Sequence, residues 1–188
     1  MTEKTIRNFS AFGVVFTFVL GTLLHFVYDW FPSPLSRVVG AFNESTWEHL
    51  KLLVFPMLLF TIIEYIGYGR EICGFFPIKI FSVLLGMFVI VASFYTYTGV
   101  VGSNYLICDI AVFLLGILAS YWFAYEKLKK NLLLANEFSC TLKKPDGFFS
   151  HPAVSFLSFL LLISLIVCFI YFSYHAPNLP LFMPPKGH

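Results

Sequence analysis

Five stretches of this chain stay apolar for longer than a soluble core helix needs, and short polar segments separate them. The runs fall at about residues 9–30, 44–67, 78–98, 104–125 and 153–175. The hydrocarbon layer of a bilayer takes roughly 20 helical residues to cross, so each run is read as a span. Lipid offers no partners to backbone N–H and C=O groups, and segments this long and uniformly apolar satisfy them internally as helices rather than as barrel strands. The pattern predicts an all-α fold: a polytopic transmembrane helix bundle of about five spans, forming a single domain over residues 1–188.

Composition agrees with that reading. The chain is 59% hydrophobic and only 12% charged, with a mean hydropathy of +0.82. A soluble domain carries about 25% charged residues, so this chain has too few to cover a water-facing surface. The net charge is +2, and no basic block points to nucleic acid. Membrane lipids are the expected surroundings. The first apolar run passes residue 20 with no small-residue cleavage site, so the first span is expected to stay in the protein.

Lysine and arginine set the expected orientation. Lys4, Arg7, Arg70, Lys79, Lys127, Lys129, Lys130, Lys143 and Lys144 fall on one side of the spans, and Arg37, Lys51 and Lys186 on the other. The richer side is read as cytoplasmic. That places the N-terminus inside and the C-terminus outside a cell membrane. Residues 126–151 are the longest inner loop, and Lys127, Lys129 and Lys130 are expected to reach anionic headgroups. The tail, residues 175–188, holds four prolines and is expected to lie extended over the outer surface. Gly13, Gly21, Gly86, Gly116 and Ala119 are small enough for close helix approach. Pro56 is expected to kink the second span. Cys108 and Cys168 lie inside apolar runs and read as small core residues.

Against this apolar background one string stands out: Asn43, Glu44, Ser45, Thr46, Trp47, Glu48, His49, Leu50 and Lys51. Titratable groups are costly at hydrocarbon, so such a cluster at a span boundary is a functional-site hypothesis. Part of it has a plain structural use. Ser45 and Glu48 match a capping box, and Trp47 joins Trp30 and Tyr28 as an interfacial aromatic. Capping leaves Glu44 and His49 unexplained. The expected topology brings other polar groups to the same outer end: His25 and Asp29 from the first span, Tyr97 from the third, Tyr105 and Asp109 from the fourth, His175 from the fifth. Glu64 lies near the inner end and is expected to reach the interface, as is His151.

These residues allow a metal reading. His25, His49 and Asp109 are donors that zinc accepts, with an open fourth position for water. Glu44, Glu48 and His49 are the candidates for acid–base work on that water. Asp29, Asn43, Ser45, Tyr97, Tyr105 and His175 would line the substrate pocket. No HExxH motif is present, and the histidines come from different helices.

Several strings resemble a family of small five-span bacterial membrane proteins of unknown function. They are residues 21–26 (GTLLHF), 43–51 (NESTWEHLK), 64–65 (EY), 95–99 (YTYTG) and 177–182 (PNLPLF). The likeness covers most of the chain. Residues 183–188 depart from the acidic, Gly-rich ending of that family. The resemblance implies the five-helix membrane architecture and no activity. Two functions stay open on the sequence: metal-dependent hydrolytic or transfer chemistry on a lipid-like substrate, or a non-catalytic subunit that binds or transports a small solute.

Overall fold

A computed structural model describes residues 2–137 and 148–185, and among them there is no strand. Six helices follow in order: α1 (Glu3–Trp30), α2 (Pro34–Val39), α3 (Thr46–Gly67), α4 (Phe75–Val101), α5 (Leu106–Glu137) and α6 (Pro152–Tyr174). Short 3-10 turns lie at Gly69–Glu71, Phe148–Ser150 and Pro180–Phe182. All but α2 are long and apolar enough to cross a membrane. Even the 22 residues of α3, the shortest of the five, extend about 33 Å at 1.5 Å per residue. The chain is a helical membrane bundle.

Its helices run alternately up and down. Glu3 at the start of α1 meets Lys129 and Tyr125 of α5 at one end, the far end. His25 of α1 meets His49 of α3 at the other, the site end. The tail after α6 stays at the site end, where Phe182 packs on Trp47 with ring centroids 5.0 Å apart.

Besides α1, which starts at Glu3 rather than near residue 9, two elements differ from the sequence reading. α5 continues to Glu137, so residues 126–137 are helix rather than loop, and Lys129 pairs with Glu3 at 2.7 Å. Cys140, Lys143, Lys144 and Lys186 lie outside the described residues. The second difference is α2, a six-residue helix between the first two spans. Ser33 and Ser36 cap it reciprocally, each hydroxyl accepting from the other's amide, and Pro34 presets its first turn.

α3 is the central helix. Leu53, Val54, Met57 and Phe60 are fully buried against Ile117 and Tyr121 of α5 and Phe169 of α6. Pro56 sits inside α3, which runs through it unbroken. A proline has no N–H, so the Leu52 carbonyl four residues back loses its helical donor. α1 packs closely there: a Cβ placed on Gly21 would stand 2.6 Å from that same Leu52 oxygen. Only glycine admits the approach. His25 is one turn beyond Gly21 and His49 one turn before Leu52, so this crossing aims the two histidines at each other.

The far end holds more polarity than expected. Glu64 and Lys79 are both fully buried and form an ion pair across α3 and α4. Tyr68 donates to Glu64 at 2.8 Å, and the Lys79 ammonium lies 4.8 Å over the Tyr121 ring. Glu64 therefore does not reach the interface; it is neutralised inside the protein. Burial first, and the Glu64 carboxylate second, push the Tyr68 phenol above its ordinary range. Trp47 is another correction. It is not an interfacial anchor but a core residue, 9% exposed, with the Phe169 and Phe172 rings 4.8 and 5.5 Å away. Cys108 is exposed on its helix rather than packed in the core, and Cys168 is half-buried. His151 is exposed and caps α6, accepting from the Ala153 amide at 3.2 Å.

Candidate functional site

The loop between α2 and α3 builds the site. Asn43 Oδ1 accepts from the Ser45 amide at 2.9 Å, and Ser45 Oγ accepts from the Glu48 amide at 3.4 Å. The turn and the cap together project Glu44 toward α1 and start α3 with His49 on the same side. His49 Nδ1 is 2.9 Å from the Ser45 carbonyl. A carbonyl only accepts, so Nδ1 carries the proton and Nε2 presents its lone pair to the neighbouring helix.

Three groups meet there. His25 Nε2 is 3.2 Å from His49 Nε2. Glu44 Oε2 lies 3.7 Å from the first and 3.5 Å from the second. One donor atom from each of the three falls within 4.8 Å of the others. A tetrahedral ion with ligand bonds of about 2.1 Å holds its donors about 3.4 Å apart, so the separations match a shared cation. Two histidines and a glutamate are a set that zinc accepts in catalytic sites, with a position left for water. The Glu44 side chain is 50% exposed, so the third corner opens outward. His49 has the backbone acceptor that usually orients a ligating imidazole. His25 has none: its Nδ1 is buried without a partner among the described residues. With no ion, the same contact is a hydrogen bond from His25 Nε2 to His49 Nε2.

The remaining candidates fall elsewhere. Glu48 is buried and does not complete the expected capping box. Its Oε2 accepts from Lys51 Nζ at 2.6 Å and from the Phe42 amide at 3.3 Å. Asp109 belongs to a separate cluster, accepting from the Tyr97 hydroxyl and, at 3.3 Å, from Asn104 Nδ2. Tyr105 is exposed, and its amide reaches the Tyr97 oxygen at 3.4 Å. Asp29 is exposed at the last turn of α1. His175 is exposed and stacks on Tyr171 at 4.9 Å. A cavity of about 320 Å³ opens at this end, walled by Thr46, Phe94, Tyr95, Asn104, Pro180 and Met183. None of His25, Glu44 and His49 lines it.

The structure adds a second network that the sequence reading did not find. Lys51 is fully buried and donates to Glu48, to Ser173 Oγ at 2.6 Å and to the Arg37 carbonyl at 3.0 Å. All three of its N–H groups are used. Arg37 Nε donates to the Ser173 carbonyl at 2.9 Å. Together these tie α2, α3 and α6 at one level. The sequence signal was only a conspicuous Glu48 and Lys51 one helical turn apart; Ser173 and Arg37 carry no local motif.

Comparison with known proteins adds an assignment but no activity. No curated protein and no solved structure matches the chain. Residues 1–186 match a family whose only description is one of unknown function, DUF6512. Since the match runs over nearly the whole bundle, the chain belongs to the DUF6512 family.

Proposed function

We propose that the site end is a zinc-class metal centre that carries out hydrolytic or transfer chemistry on a lipid-like molecule at the outer leaflet of the cell membrane. The observation that carries this reading is the convergence of His25 Nε2, His49 Nε2 and Glu44 Oε2 at spacings suited to one ion. Among the described residues, seven of the nine Lys and Arg lie toward the opposite end, which supports an outward-facing site.

His25, His49 and Glu44 would hold the ion. Zinc supplies Lewis acidity and lowers the pKa of a bound water to about 7. The chain's own contribution is placement. The Gly21–Leu52 crossing fixes the distance between α1 and α3, and Ser45 fixes the tautomer of His49. Glu48, a candidate base on the sequence, is committed to Lys51 and serves the scaffold instead. Asp109, held by Tyr97 and Asn104, is a polar group at the same end outside the trio. A non-catalytic site for a cation or small solute uses the same three donors, so stoichiometry and turnover must be measured separately.

The test is elemental analysis of the full-length protein in detergent after zinc loading and removal of excess metal. The expected result is about one zinc per chain, as a single three-ligand site requires. It should be lost in His25→Ala and His49→Ala and kept in Asp109→Asn. A wild-type protein that retains no metal sinks the proposal. Stoichiometric zinc without hydrolysis of any ester or amide lipid would favour the binding reading.

A further inference from the structure

We infer that Arg37 is the docking point for the phosphate of a phospholipid headgroup, held beside the His25–Glu44–His49 centre. The inference rests on the proposed reading of that centre and names the substrate class it would meet.

The guanidinium is fixed before any ligand arrives. Nε donates to the Ser173 carbonyl. Its Cζ lies 4.4 Å from the Phe42 ring centroid and 5.0 Å from that of Tyr174. Tyr174 is itself held by a hydrogen bond from its hydroxyl to the Pro34 carbonyl at 3.3 Å. The Arg37 carbonyl accepts from Lys51. What remains free is the fork: the two terminal amino groups of Arg37 have no hydrogen-bond partner among the described residues. A planar pair of N–H donors with its conformational freedom already lost is suited to two oxygens of a phosphate.

The local charge also asks for an anion. Arg37, Lys51 and Glu48 lie together, two cations and one anion, and the anion is already paired with Lys51. One positive charge is left over, and it sits on the free fork. The level in the bundle is right for a headgroup. α2 follows the end of α1 closely, and Phe31 before it and Leu35 within it are 70% and 72% exposed. Apolar side chains so placed suit the boundary between hydrocarbon and headgroups. Two ring contacts lead from Arg37 toward the helix that carries His25. Phe42 touches Arg37 on one side and approaches Tyr28 on the other, with ring centroids 6.2 Å apart. Tyr28 is one turn beyond His25, and Phe42 is two residues before Glu44.

The experiment uses the full-length protein in maltoside micelles with three probes: short-chain phosphatidylglycerol, inorganic phosphate and short-chain diacylglycerol. Binding is read by isothermal calorimetry, and folding by thermal melting. The expected result is that phosphatidylglycerol binds and the other two bind at least about tenfold more weakly. Arg37→Gln should weaken phosphatidylglycerol by about tenfold or more, the loss of one charge-assisted bidentate contact. If Arg37→Gln does not fold, Arg37→Lys decides, since it keeps the charge and loses the fork: weaker binding at an unchanged melting temperature supports the inference. Unchanged binding in the folded variant overturns it. So does inorganic phosphate binding as tightly as the lipid, or diacylglycerol doing so. The assay is repeated on His25→Ala. Lipid binding that persists there without zinc leaves Arg37 in place even if the metal reading fails. Zinc bound with phosphatidylglycerol ignored removes the Arg37 inference alone.

Discussion

Replacing Gly21 with alanine tests the geometry on which the site depends. The added Cβ would stand 2.6 Å from the Leu52 carbonyl oxygen and 2.9 Å from the Phe113 ring. Ordinary contact begins near 3.4 Å, so α1 and α3 must separate locally by about 0.8 Å, the difference of those two distances. The neighbour is backbone and cannot swing aside. Overpacking of this kind costs about 1–3 kcal/mol, while alanine gains about 1 kcal/mol over glycine inside a helix. Gly99→Ala is the matched control: it is also helical, with nothing within 4 Å of its Cβ, so it receives only the gain. Gly21→Ala should therefore be less stable than Gly99→Ala by about 1–3 kcal/mol, the overpacking cost alone. Unfolding by titration with a denaturing detergent measures this. Zinc affinity is the second readout. Metal sites tolerate about 0.2 Å of error in ligand distance, and His25 is one turn from the displaced glycine, so affinity should fall with stability. Equal stability of the two variants would refute the close crossing, whether or not the centre holds zinc.

Two other outcomes follow from the buried contacts. Lys51→Met leaves Glu48 charged, buried and unpaired, which should cost about 3–5 kcal/mol. The double variant Lys51→Met/Glu48→Gln should recover a large part of that loss in the same unfolding assay, and a single variant no worse than the double would contradict the pairing. Phe182→Ala removes the ring that packs on Trp47 and Phe172; limited proteolysis should then cut the 176–185 segment several-fold faster while the bundle stays intact, and unchanged cleavage would show that Phe182 does not hold the tail.

The spans were legible because their signal is additive. Each apolar run is long enough that no tertiary contact can reverse it, and α3, α4 and α6 begin and end within about three residues of the hydropathy boundaries, while α1 starts six residues early at Glu3. α5 outruns its boundary because charged residues end an apolar run without ending a helix. Glu126, Lys127, Lys129 and Lys130 instead decorate the continuing helix, where Lys129 pairs with Glu3. The local signature of α2, Ser33 with Pro34, was there to read, yet six residues between two long spans left no periodic pattern. At the site, His25 and His49 stood out by type alone, and the topology argument placed them at one end. Glu44 as the third member depended on a turn set by Asn43 and Ser45, which no spacing rule encodes. Asp109 and Glu48 looked equally chemical in sequence. Their partners, Tyr97 and Lys51, separate them from the trio, and partner choice across helices is a property of packing rather than of any local string.

The burial of Glu48, Lys51 and Glu64 along one helix has a consequence for how the chain enters a membrane. α3 alone would carry Glu48, Lys51 and Glu64 in its end turns, where each costs less than the about 2.5–3.5 kcal/mol of a charge at the centre of a lone span. Lys51 answers Glu48 within α3, but the other partners lie on other segments. Arg37 comes just before α3, Lys79 arrives with α4, and Ser173 comes only with α6. α3 is thus a span whose stable residence in lipid waits on later spans. The insertion machinery would best release α3 and α4 together as a hairpin, with Glu64 and Lys79 already joined. The Lys51 end would close last, when the final helix brings its serine.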